Sequence, residues 1–310
     1  MSAALSTIRT MPMMEIVADV AAVYVDRHAR PGTAFRRAAI VHVGQSAVVL
    51  RPVEREHENP DGLLVITTDS AGLMPGGMRI SRADFTARLP RFAALHASGT
   101  LVDATPRTHS ANGIDLHIRP ATTHPSALGV LHRGMSTARP DAAGTRAATG
   151  ALNVTGALDV MDPEPLRRHA PLLAAAAVNA ASADVRRLVG SLIGAGPGTT
   201  PTGDDIIVGA LAACRLIDDR EAFAVIAGAV APLLANTTAA SRHYLHAAID
   251  GRFGEHIHEL VAAATGRSSP TMAVARAQSW GSSSGLDTLA GFLAVLSTQR
   301  MDDLSMERSA

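Results

Sequence analysis

The apolar positions along the chain change period part-way through. Up to about residue 130 they fall in short runs separated by turn residues, the mark of strands. The stretch AAIVHVGQSAVVLRP (38–52) holds two such runs around Gly44-Gln45. GLLVITTD (62–69) reads as a short buried strand, and GTLVDAT (99–105) and GIDLHIRPA (113–121) as further ones, with Ser110 to Gly113 as a turn. SRADFTARLPRFAALHASG (81–99) predicts a short helix capped by Ser81 or Asp84. Strand-like runs between turns predict a small sheet or barrel. From about residue 160 the period becomes helical. Asp162 with Pro163 opens one helix, and Ser182 to near Gly194 forms the next. Further helices are expected over 204–217, 219–235, 238–250, 254–265, 270–279 and 285–298. Short connections predict antiparallel neighbours.

These patterns predict an α+β protein: a β-rich domain over 1–135, a linker over 136–155, an all-helical domain over 156–300 and a tail over 301–310. The linker expectation rests on GMSTARPDAAGTRAATG (134–150), which is small, polar and without large apolar residues.

Composition narrows the function classes. Apolar residues make up 47 % of the chain and aromatic residues only 3 %, so the core is built from Ala, Leu and Val. Formal charge is zero, which gives no electrostatic footprint for nucleic acid. The sequence holds no lysine, which excludes Schiff-base chemistry and a Walker lysine. Cys214 is the sole cysteine and lies in an apolar helical pattern, where it reads as a small buried hydrophobe. Glu15 and Asp19 interrupt the apolar N-terminal stretch, unlike a signal peptide. The longest apolar run, 222–235, contains Pro232 and is too short to span a bilayer. No membrane association and a cytoplasmic location are expected.

The stretch with the most chemistry is IGAGPGTTPTGDDIIVGALAA (193–213). Gly194, Gly196, Gly198 and Gly203 permit positive φ or close approach to the backbone, Pro197 and Pro201 stiffen the loop, and Thr199, Thr200 and Thr202 add hydroxyls. A helix begins near Gly203, and helix N-termini favour anions. The spacing from Gly198 to Gly203 imitates a phosphate loop, but Asp204-Asp205 stand where that motif has its lysine. The two acids suit the helix dipole, and they can accept from a substrate amide or hold Mg²⁺. The plainer alternative is a cap at Thr202 with two dipole-facing acids. Gly209 and Ala213, four apart, permit close helix contact.

Two more helix starts have the same character. Ser282-Ser283-Ser284-Gly285-Leu286-Asp287 precedes the last apolar helix, and serves either a ligand or a capping box closed by Asp287. Thr237, Thr238, Ser241, Arg242 and Tyr244 open another, either facing the site or merely capping. We expect the helix starts near 203, 238 and 284 to converge on one polar pocket. His243 with His246, and His256 with His258, invite a metal reading, but no H-E-x-x-H motif is present. Arg79, beside the MPGG turn, can reach a substrate carboxylate across a domain interface. No G-x-S-x-G elbow is present to support a catalytic triad.

GAGPGTTPTGDDIIVG resembles the G-x-G-x-G-L-T-P-S-G-D-D motif of the family that includes the H subunit of oxamate carbamoyltransferase from anaerobic allantoin degradation. NTTAASRHYLHAAIDGRFGEHIHEL (236–260) is similar to its T-x-x-x-S-x-x-x-L-x-x-A-x-x-G-x-F segment, and WGSSSGLDTLAGFLAVL (280–296) to its G-x-[ST]-S-G-x-D-x-L-x-G segment. SAGLMPGGMRIS (70–81) resembles the family's Gly-Pro stretch between strands. Thr199 stands where Leu is usual, Thr202 where Ser is usual, and Leu286 where an aromatic is common. The resemblance implies carbamoyl transfer, between oxalurate and phosphate on one side and oxamate and carbamoyl phosphate on the other, in a complex of unlike subunits. It points to Asp204, Asp205 and Asp287 as catalytic candidates. Gly196, Gly198, Thr199, Thr200, Thr202, Gly203, Ser241, Ser283, Ser284 and Gly285 are the candidates for holding a small anion or amide. No cofactor is assigned, with Mg²⁺ at Asp204 and Asp205 as an option. The alternatives are a non-catalytic subunit or sensor that binds a metabolite, and a Mg²⁺-dependent hydrolase of small amides.

Overall fold

The computed structural model describes residues 14–15, 24–27, 38–53, 62–103, 112–137 and 164–309. They form two compact units, one ending at Asp115 and the other beginning at Leu116. The architecture is α+β, a mixed sheet followed by a largely helical region.

The sheet unit contains β1 (Met14–Glu15), β2 (Tyr24–Asp26), β3 (Ala38–Val43), β4 (Ala47–Pro52), β5 (Leu64–Thr68), β6 (Met78–Ile80), β7 (Val102–Asp103) and β8 (Asn112–Ile114). The spatial order is β1-β7-β3-β4-β5-β6-β2-β8, an open sheet with β1 and β8 at its edges. The β3–β4–β5 meander is antiparallel, and β5 pairs with β6 in parallel. Alternation places Ala38, Ile40, Val48, Leu50, Ile66, Met78 and Ile80 in one core with Phe85, Phe92 and Leu95. The last three belong to α1 (Arg82–Ser98), which starts at Ser81, whose hydroxyl accepts the Asp84 N–H, and ends at Gly99 in the left-handed region. This helix is longer than the short one expected, because Phe85, Phe92 and Leu95 supply a continuous buried face. Asn112 and Gly113, expected in a turn, pair with Tyr24 and Val25 as part of β8.

The MPGG turn is held by close packing. The Gly76 N–H donates to the buried Asp26 carboxylate at 2.8 Å, and a Cβ on Gly77 would stand 2.6 Å from the Val65 carbonyl oxygen. Arg79 is engaged inside its own unit, over the Tyr24 ring at 4.3 Å and 3.5 Å from Asp69.

The helical unit begins with α2 (Pro125–Thr137), which the strand-like reading of the first 135 residues missed. Its Leu128 and Leu131 join the helical core. The unit boundary therefore precedes this helix. Residues 138–163, including most of the expected linker and the Asp162-Pro163 start, lie outside the described residues. Then come α3 (Glu164–Arg167), α4 (His169–Val178), α5 (Ser182–Leu192), α6 (Thr202–Leu216), α7 (Arg220–Val230) with a 3-10 turn (Ala231–Asn236), α8 (Ala239–Ile249), α9 (Glu255–Ala264), α10 (Pro270–Ser279) and α11 (Ser284–Ser309). The last helix runs through the segment expected as a tail.

The centre of this unit is α6, buried over nearly its whole length. It crosses α11 at backbone contact. A Cβ on Gly209 would lie 2.0 Å from the Thr288 carbonyl oxygen, and one on Gly291 would lie 2.0 Å from that of Ile206. Only glycine allows this approach, and the approach makes α6 a fixed mount for the loop before it. Cys214 on α6 is 1 % exposed, and burial pushes its thiol up to about 12, consistent with a packing role.

Candidate functional site

The loop between α5 and α6 is shaped by its glycines. Gly194, Gly196 and Gly198 all have positive φ. Side chains at the first two would strike the Asn236 carbonyl oxygen at 2.5 Å and the Thr202 nitrogen at 2.8 Å, whereas Gly198 faces open space. The Gly203 N–H donates to the Ala195 carbonyl at 2.9 Å, closing the loop at its base. Among the described residues, the turn hydrogen bonds leave the N–H groups of Gly198, Thr199 and Thr200 unused.

The three polar helix starts meet here. Thr237 donates through its hydroxyl to the Asp204 carboxylate, and Thr238 donates to the Thr199 carbonyl. The hydroxyls of Thr200 and Ser284 are 2.9 Å apart. Loop, α8 start and α11 start thus form one cluster, as the spacing of small polar motifs predicts. Thr238 also accepts the Ser241 N–H at 3.1 Å, so it caps α8 and ties the loop at once.

Not every expected site residue faces the cluster. Gly203 and Gly285 are packing glycines, since a Cβ would lie 1.9 Å from the Leu192 oxygen in one and 2.1 Å from the Ala277 oxygen in the other. Thr202 does not cap α6. Pro201 takes that position without a side-chain bond, and the Thr202 hydroxyl is buried with no hydrogen bond of its own. Instead it lies beside Asp287 and favours that group's charged form, as does Ser283. The capping box expected for Asp287 is replaced by an ion pair: Arg167 Nε donates to Asp287 Oδ1 at 2.6 Å. Arg167 was not legible in the sequence as a site residue, because it sits on a four-residue helix far from the motif in the chain.

The three acids differ in environment. Asp204 is 1 % exposed and accepts from the Gly194 N–H at 2.9 Å as well as from Thr237. Burial raises its pKa, while hydrogen bonds from Thr237 and Gly194, and the nearby Ser241 hydroxyl, act against the rise. Asp287 is fully buried. Burial raises its pKa too, and Arg167 opposes that rise. Asp205 has neither a cation nor a backbone donor beside it, and its Oδ2, like that of Asp287, is buried without a hydrogen bond. Burial pushes it well above the ordinary carboxylate range. Ser284 lowers it, the charges of Asp287 and Asp204 raise it further, and Thr200 lowers it. Tyr244, on α8, has its phenol pushed up by burial and by Asp205. Asp205 and Ser284, at 6 % and 9 % exposure, are the least sealed of these polar groups, against 0–2 % for Thr202, Asp204, Ser241 and Asp287. We take the side of the cluster at Thr200, Ser284 and Asp205 as its mouth.

The histidines lie elsewhere in function. The His256 ring stacks on Trp280 at 3.7 Å, and burial, then His258 and Arg276, lower its pKa to about 3. Among the described residues, no group of three or more His, Cys, Asp or Glu side chains is arranged to hold a metal ion. Among those residues, too, no helix is long and apolar enough to cross a membrane.

Fold and site together define an α+β protein whose helical unit gathers a glycine loop and three helix starts around buried acids. Residues 192–296, which span all three starts, match the family model of the oxamate carbamoyltransferase subunit AllH. No curated protein and no solved structure matches the chain.

Proposed function

We propose that the chain is a subunit of a carbamoyltransferase-type enzyme, and that the loop at 194–203 holds the small anion or amide on which it acts. One observation carries this reading. The unused N–H groups of Gly198 to Thr200 stand at the same mouth as the Thr200 and Ser284 hydroxyls and the least sealed acid, Asp205. Backbone N–H groups beside a helix N-terminus suit a carboxylate or phosphate oxygen. Oxamate and carbamoyl phosphate each join such an anionic group to a carbamoyl or amide group, so both fit a mouth of this kind.

The acids divide the work. Asp204 staples the loop to α8, because its oxygens are taken by Gly194 and Thr237. Asp287 with Arg167 forms the floor. Asp205 is the acid that meets the ligand. Companion subunits supply the remainder of the reaction machinery.

The test is thermal-shift titration of the purified chain with oxamate, carbamoyl phosphate, phosphate and Mg²⁺. Oxalurate phosphorolysis is then assayed with companion subunits added. We expect oxamate or carbamoyl phosphate to raise Tm, and Asp205→Ala to remove the rise. Equal shifts in the wild type and Asp205→Ala would remove the loop from the site. Binding without turnover in the assembled complex would make the chain a non-catalytic binding subunit.

A further inference from the structure

Three carboxyl groups under an anion cradle pose an electrostatic problem, since three negative charges would repel the guest. The arrangement of partners resolves it. Asp287 has a cation at 2.6 Å in Arg167, and Asp204 has two hydrogen-bond donors. In both, these partners oppose the rise in pKa that burial causes. Asp205, at the buried start of α6, has no such cation and no backbone donor; only two hydroxyls favour its charged form, and the charges of the other two acids oppose it. The polar groups acting on it are Ser284 and Thr200, the charged ones are Asp287 and Asp204, and Tyr244 faces it from α8. No Arg or His side chain is among them. A second observation points to a guest rather than a closed core. The hydroxyls of Thr202 and Ser241, 1 % and 2 % exposed, line the acids from α6 and α8 without a hydrogen bond of their own, a rare condition for buried polar atoms.

We propose that Asp205 works as a neutral acid, donating its proton in a hydrogen bond to an oxygen of the bound anion. The mouth then offers the guest donors: the N–H groups of Gly198 to Thr200, one hydroxyl of the Thr200–Ser284 pair, and the Asp205 O–H. Such a mouth takes a ligand rich in acceptor oxygens, whether carboxylate or tetrahedral oxyanion. Asp287 is a positioning residue, whose charge keeps the proton on Asp205. This inference rests on the loop being the ligand site. No bond is made or broken in it. A proton already on the protein is shared with the guest.

The sign follows from linkage. Anion binding needs the protonated form, so affinity is full below the raised pKa of Asp205 and falls about tenfold per pH unit above it. The experiment is isothermal titration of the full chain with oxamate, and separately with sulfate, from about pH 4 to about pH 9. Neither ion titrates there, and the two distinguish a carboxylate site from a tetrahedral one. The wild type should lose affinity with rising pH. Asp205→Asn keeps a donor and should bind with little pH dependence. Asp287→Asn removes a repelling charge and should move the loss of affinity to lower pH. Infrared spectra of the unliganded protein should show a protonated-carboxyl band that persists above the ordinary carboxylate range and is missing in Asp205→Asn. If that band is absent while oxamate still binds, the proton assignment fails and the proposed site survives. If the band is present but neither ion binds at any pH, the donor role and the proposed site fail together. Affinity that rises with pH would also overturn the inference.

Discussion

At the residue scale, the buried titratable groups set opposing pH limits on stability. Asp205 has a folded pKa above its unfolded value, so the folded state binds the extra proton. Its stabilising contribution is complete below the unfolded value near 3.8 and is lost as pH rises through the raised one. His256 has the opposite sign. Its pKa falls from 6.5 to about 3, so its contribution is present above 6.5 and is lost as pH falls. Urea melts across pH should show Asp205→Asn flattening the alkaline side and His256→Gln flattening the acid side. Removing the partner of a buried cation is costlier. Asp287→Ala should destabilise by about 3–5 kcal/mol, and Arg167→Met with Asp287→Leu by clearly less. An equal loss in both variants would show that the ion pair is not the source. At this scale the sequence marked the acids, hydroxyls and glycines as special. It did not distinguish Asp204 from Asp205, because their partners come from loops and helices remote in the chain.

At the element scale, helix starts and stops were legible. Ser81, Thr238 and Ser269 cap through their hydroxyls, and capping is a local interaction that sequence displays. The exceptions are Thr202 and Ser284-Asp287, where tertiary partners replace the local bond. α2 was missed because it follows strand-like sequence and its buried face is set by helices that come later. The Gly209–Gly291 crossing supports a direct test. Alanine at Gly209 would gain about 1 kcal/mol of helix propensity, yet its Cβ would lie 2.0 Å from a backbone oxygen. We expect Gly209→Ala to lower Tm, with a net loss of about 1–3 kcal/mol from overpacking. Gly190→Ala, on α5 with nothing within 4 Å of its Cβ, should raise it slightly. If both variants behave alike, backbone contact is not what holds α6 and α11 together.

At the scale of the whole molecule, each unit has a core of its own. Val25, Ile66 and Phe92 belong to one, and Leu131, Ile206 and Phe292 to the other. A chain beginning at Leu116 should therefore retain its helical circular dichroism and unfold cooperatively. A molten, non-cooperative transition in that fragment would show that the sheet unit is required for folding. The site lies within the helical unit, so ligand-induced shifts should survive in the fragment. On the proposed function, turnover should need companion subunits.

By itself the sequence determined most of the strands and helices, though not α2 or β8, because periodicity and capping are local properties. It also marked the loop at 194–203, since that density of glycine, proline and threonine before two acids has few structural uses. Only the tertiary structure decided which acid is stapled, which is ion-paired and which has only hydroxyls beside it. Charge and proton affinity depend on burial and on neighbours in space, and those neighbours, Arg167, Thr237 and Asp287, are brought together by folding alone.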